Sequence, residues 1–149
     1  MKSIIIILLL GISLSYSPDA AVNYAKNYCY KYNPDYNNYK YEGGDDANFV
    51  SQCMFSAGQS FDRCLGKDNK GMIKGVFDLE LCLKSKGWRS SSSRPTNFKP
   101  GYPVFVVKPP MTYAFLVTGI SANYIYGCSH NPDVCDEKIN ANYIDYYFL

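Results

Sequence analysis

The sequence predicts an α+β domain, with N-terminal helices packed on a C-terminal antiparallel β-sheet. Three observations carry that expectation. In the first half of the chain, apolar residues recur at helical spacing in windows that open on capping residues and close at glycine. After Gly101 the composition turns to short runs of β-branched and aromatic residues. Turn signals at Pro109-Pro110 and over residues 119–122 separate those runs by short connections, which join antiparallel neighbours. Helices first and strands second is the α+β arrangement.

The chain opens with Lys2, an apolar run over residues 4–10, and small residues at Ser13 and Ser15. A charged start, a short apolar stretch and small residues before a cut are the layout of a secretory leader. The apolar run is shorter than the roughly 20 residues a spanning helix needs. Cleavage after Ser15 leaves residues 16–149 as one domain, long enough for a real core. A cut after Ser17 would place Pro18 first.

Ser17-Pro18-Asp19 caps the first helix, with Pro at its first position and Ala21, Tyr24, Ala25 and Tyr28 on one face. Asn33-Pro34-Asp35 is expected to end it. A polar, Tyr/Asn-rich loop leads to Gly43-Gly44, which allow a sharp entry into the next element. Asp45 or Asp46 then caps a helix to about Ala57, stopped by Gly58, with Ala47, Val50, Met54 and Ala57 as its buried stripe. Residues 67–75 read as a loop. Residues 76–86 form a third helix with Phe77, Leu79, Leu81 and Leu83 as its apolar content and Gly87 as its stop. Residues 89–100 read as a serine-rich surface loop. Strands are expected over residues 104–107, 113–118, 123–126 and 144–149.

All six cysteines, Cys29, Cys53, Cys64, Cys82, Cys128 and Cys135, follow the leader, and an even count in an exported chain reads as disulfides. Cys128–Cys135, which closes a short local loop, is the one pairing singled out; the rest are open. Zinc is disfavoured by the lack of a CxxC pair and by a single histidine, so no metal and no cofactor are expected. The formal net charge is +2 with signs interspersed, which argues against nucleic acid or an anionic membrane as partner. The 15 tyrosines suit wet interfaces and sugars, and equally suit ordinary strands and loops.

The most informative run is Gly43-Gly44-Asp45-Asp46-Ala47-Asn48-Phe49-Val50-Ser51-Gln52-Cys53. It resembles the nucleophile helix of the putative amidase domain family, secreted papain-like amidases whose run reads Gly-Gly-Asp-Cys-Thr-Asn-Phe-Val-Ser-Gln-Cys. Tyr24, Asn33-Pro34-Asp35-Tyr36, Trp88, Pro100-Gly101, residues 113–119 and residues 126–131 extend the resemblance in the same order. It implies a papain-like amidase fold. It also implies that Asp46 stands where the family has its catalytic cysteine and Tyr113 where it has its histidine. His130 takes the third position, in a segment, Cys128-Ser129-His130-Asn131, similar to the family's Ser-Ala-His-Thr-Asn. Tyr102 replaces a usual aspartate.

A carboxylate cannot perform a thiolate's acyl transfer, and a phenol with a pKa near 10 is no general base at neutral pH. A phenol can donate to a carboxylate, so an Asp46–Tyr113 pair at a helix N-terminus is expected. Asp45, Asn48, Ser51, Gln52, Tyr102 and Asn131 are the cleft candidates for binding. Cys53 as a displaced nucleophile sits too far into the helix. Asp45 with Asp46 as a glycosidase pair fails because neighbours at a helix start do not flank one bond. Glu42, Asp45 and Asp46 lack a calcium-loop pattern. The expectation is a secreted, monomeric, disulfide-braced protein that does not hydrolyse and binds an extracellular ligand, glycopeptide or polysaccharide, without membrane attachment once the leader is gone. The alternatives are an amidase or peptidase with an unconventional catalytic group, and a structural wall component.

Overall fold

A computed structural model describes residues 15–149, so the expected leader lies outside the described residues save for Ser15. Three helices come first: α1 (Pro18–Tyr28), α2 (Asp46–Ser56) and α3 (Val76–Ser85). Six strands follow: β1 (Arg89–Ser91), β2 (Pro103–Lys108), β3 (Met111–Ile120), β4 (Ile125–His130), β5 (Asp133–Lys138) and β6 (Tyr143–Phe148). They form one sheet in the order β1-β6-β2-β3-β4-β5, and every pairing is antiparallel. The expected α+β class and antiparallel sheet are both present.

The helix starts follow the sequence signals. Ser17 is extended and its hydroxyl accepts from the N–H of Ala20, with Pro18 as the first helical residue. Gly58, at φ +94°, follows the end of α2 and Gly87, at φ +89°, that of α3, both in the left-handed region glycine favours. The end of α1 differs from expectation. It stops at Tyr28, short of Asn33, because His130 Nε2 donates to the Tyr28 carbonyl, which a continuing helix would have offered to a backbone N–H.

Burial of α2 also departs from a single stripe. Residues 46–54 are all buried, since α1, α3, β3 and β4 all pack against this helix. α3 behaves in the opposite way. Leu79 and Leu83 are buried one turn apart, while Phe77 and Leu81 face solvent, so half of its apolar content stays outside the core.

The sheet has two strands that the sequence reading does not assign: β1 falls in the expected serine-rich loop, and the residues of β5 carry no expectation. β1 pairs Arg89 with Phe148 and Ser91 with Tyr146 at one edge; β5 pairs with β4 at the other. Both are polar and partly exposed, so neither shows an apolar period. β4 begins at Ile125 because Ser121 and Tyr124 close a turn on each other, removing residues 123–124 from the strand.

The core joins both halves of the chain. Trp88 is 4% exposed; its indole N–H donates to Gln59 Oε1, and it packs edge-on against Tyr16 and Tyr102. Gly101, at φ +91°, brings its backbone against Pro18 at the start of α1, leaving no space for a side chain. Disulfides join Cys64 to Cys82 and Cys128 to Cys135, the latter as expected. Cys29 and Cys53 correct the expectation of full pairing: both are free and buried. Cys53 is two turns inside α2, and its nearest other thiol, Cys29, is not bonded to it. Among the described residues, no helix is long and apolar enough to cross a membrane.

Candidate functional site

The N-terminal turn of α2 holds two consecutive carboxylates in different surroundings. Asp45 is the N-cap by position, yet its side chain does not cap the helix. Its Oδ1 accepts from the N–H of Tyr39 at 2.9 Å and from Asn48 Nδ2 at 2.8 Å, and its Oδ2 meets His130 Nδ1 at 2.8 Å. The other ring nitrogen of His130 meets the Tyr28 carbonyl at 2.8 Å. A carbonyl only accepts, so His130 donates from Nε2 to Tyr28, while Nδ1 and the Asp45 carboxyl group share one hydrogen bond between them. Phe49 stacks on the imidazole at 3.9 Å between centroids, and Tyr32 lies at 4.3 Å. Water is shut out.

Asp46 points the other way. β3 and β4 pair only as far as Leu116 and Cys128, which leaves the backbone of Ala114 unmatched by β4. Asp46 Oδ2 accepts the Ala114 N–H at 2.6 Å, and Ser129 Oγ donates to the Ala114 carbonyl at 2.9 Å. The N–H groups of Asp46 itself and of Ala47 also reach the carboxylate. Burial raises the pKa of Asp46 above the ordinary carboxylate value, and these hydrogen bonds offset only part of that. Gly44, at φ +113°, lets Asn131 close over the same point: a side chain on Gly44 would run into the Asn131 amide and crowd Asp46 Oδ1.

The expected Asp46–Tyr113 pair is not made; the partner is the backbone of the next residue. Neighbours on a strand leave opposite faces of a sheet. Ala114 is opposite Phe105, whose ring packs on Tyr147, and the Tyr147 hydroxyl reaches Glu80 of α3. Ala114 therefore lies on the helix-bearing face, and Tyr113 leaves from the other. His130 meets Asp45 rather than Asp46.

Most of the cleft candidates are internal. Asn48 Nδ2 donates to the Asn37 carbonyl at 2.7 Å as well as to Asp45, while its Oδ1 is buried without a partner. Ser51 Oγ donates to the Asn48 carbonyl and accepts the N–H of Ile73. Gln52 Oε1 accepts from the Tyr24 hydroxyl at 2.7 Å. Tyr102 is 4% exposed among Trp88, Phe98 and Tyr16. Each is held by a helix or loop that needs its polar atom or its ring, so none lines an open cleft. Cys53 is fully buried, which pushes its thiol well above the ordinary value and keeps it protonated. Asp46 is also buried, at 5% exposure, and Asn131 and Tyr113 are the half-buried ones among these residues.

An open cleft of about 480 Å³ does begin at Gly43 and Gly44, directly before α2. Lys67, Asp68, Lys74 and Asp78 line its other side, and Glu42 its rim. Lys74 pairs with Glu42 at 3.3 Å and lies over the Tyr39 ring. The sequence reading places Glu42, Lys67, Asp68 and Lys74 in ordinary polar loops and Asp78 in the third helix. The available signal was glycine at Gly43, Gly44, Gly66 and Gly75, which keeps both walls low.

The sequence model of one protein family, described as a putative amidase domain, matches residues 15–102. That span holds all three helices and the whole cleft wall, and it ends before β2. No curated protein and no solved structure matches the chain.

Proposed function

The chain belongs to the putative amidase domain family, and from that premise we propose that it is a secreted, papain-like member that binds an extracellular glycopeptide or peptide without hydrolysing it. In this reading Asp46, Tyr113 and His130 are the family's nucleophile, base and orienting positions, two of them substituted. The observation that carries it is the state of the helix start. The carboxylate of Asp46 is held by the Ala114 N–H and by the first N–H groups of α2. The N–H groups of a helix start are the ones a hydrolase of this kind needs free for an oxyanion. The one histidine in the sequence has both ring nitrogens in hydrogen bonds, to Asp45 and to the Tyr28 carbonyl, so neither is free to meet a nucleophile.

The cleft in front of Gly43-Gly44 is the ligand site in this proposal. It offers two ammonium groups, Lys67 and Lys74, and the carboxylates of Glu42, Asp68 and Asp78. Mixed charge around exposed glycine backbone suits a ligand with its own amines, carboxylates and amide groups, as a wall-type glycopeptide has. The disulfides favour an oxidising compartment and so support export.

The test is a pull-down of the purified protein on insoluble peptidoglycan, beside a polysaccharide freed of its peptide. Retention on the first, weakened by Lys67→Ala and Asp78→Ala and unchanged by Tyr113→Phe, supports the reading. Equal retention on both matrices, or none, overturns the glycopeptide assignment.

A further inference from the structure

Cys29 lies where α1 ends, and its sulfur is within 4.8 Å of both sulfurs of the Cys128–Cys135 disulfide. We propose that these three residues form a thiol–disulfide exchange centre, in which Cys29 can displace Cys135 from Cys128 and turn a buried thiol into a surface one.

The step needs no external oxidant. The Cys29 thiolate attacks Cys128 Sγ, the Cys29–Cys128 bond forms and the Cys128–Cys135 bond breaks. The electron pair of the broken bond stays on Cys135, and the proton released by Cys29 ends on that sulfur or in solvent. One disulfide and one thiol stand on each side. Burial selects the direction. Cys29 is 3% exposed and Cys128 fully buried, while Cys135 is half-exposed on the edge strand β5. The sulfur nearest water is the best leaving group, since its thiolate is the one solvent stabilises.

The surroundings also keep the resting state as it is. Cys29 Sγ rests against the Lys26 carbonyl at the C-terminal end of α1, where the helix dipole disfavours an anion. Burial raises the Cys29 thiol above its ordinary value, and the carboxylates of Asp136 and Asp133 add to this. Lys26, which bridges to Asp136 at 3.3 Å, is the cation beside them. Exchange therefore waits for the thiolate, and the exposed Cys135 thiol it releases can form a mixed disulfide with a thiol-bearing partner or a small disulfide. The new Cys29–Cys128 bond would tie α1 to β4 one residue from the Tyr28 carbonyl that holds His130.

Disulfide mapping tests this on the full oxidised protein. Samples held at mildly alkaline pH are quenched in acid, unfolded, blocked with N-ethylmaleimide at mildly acidic pH and digested without reduction. The expected result is a Cys29–Cys128 linked peptide that grows with time, together with labelled Cys135; in Cys29→Ser, labelled Cys135 falls by about tenfold or more. Should Cys29→Ser fail to fold, the linked peptide in the unaltered chain decides alone, and Cys135→Ser made in an oxidising compartment should carry the Cys29–Cys128 bond outright. Label confined to Cys29 and Cys53 at every time, or Cys135 labelled equally in Cys29→Ser, overturns the proposal.

Discussion

The inner and outer sides of one helix turn, at Asp45 and Asp46, are built from the same residue type and work differently. On the inner side, Asp45, His130, Asn48 and Tyr39 close a network on which Phe49 and Tyr32 sit. On the outer side, Asp46 holds one strand N–H under a half-buried Asn131, next to an open cleft. A run of polar residues resembling a catalytic helix is thus divided by packing: the inner residues close a buried network, and the outer one ties the helix start to the backbone of β3.

Removing either partner of the inner pair is the severest way to break this contrast. Asp45→Ala or His130→Ala leaves a buried hydrogen-bonding group without its partner and should cost about 3 kcal/mol in denaturant unfolding. A loss below about 1 kcal/mol would place this turn in contact with water and remove the distinction. Tyr24→Phe comes next. It takes the donor from Gln52 Oε1 and the acceptor from Asn33 Nδ2, and should cost about 1–2 kcal/mol by the same measurement.

Asp46→Asn should act through pH rather than through a fixed loss. The folded-state pKa of Asp46 is raised, so the native state holds its proton longer than the unfolded chain does. Its contribution to stability is fully present below the unfolded carboxylate value, near pH 4, and falls as pH rises to the folded value. The asparagine variant lacks that fall. Thermal melts across this window should show the unaltered protein losing ground to the variant as pH rises, and a gap that widens in the other direction would contradict the sign. Tyr113→Phe is the smallest expected effect, within about 0.5 kcal/mol, because its hydroxyl does not reach Asp46.

The sequence made much of this fold legible, and the reasons for the remainder are physical. Helix starts and stops lie in local chemistry, Ser17-Pro18 and Gly58 among them, so α1 began and α2 ended where expected. The end of α1 depended on His130, far along the chain, and no local signal carries that. β1 and β5 are edge strands whose polar residues show no apolar alternation, so β1 reads as loop and β5 goes unassigned. Within the site, the special standing of the Asp45–Asp46 helix start was legible. The roles of Asn48, Ser51 and Gln52 were not, because α2 is packed on every side and its polar atoms are taken by Asn37, Ile73 and Tyr24. Cleft residues such as Lys67 and Lys74 come from loops brought together only by folding.

The central claim, binding without hydrolysis, is tested most directly by mass spectrometry of a defined glycopeptide after prolonged incubation with the protein and recovery from the complex. The account predicts that the ligand returns at its original mass. A cleaved amide product that disappears with Asp46→Ala or Cys53→Ala would contradict it.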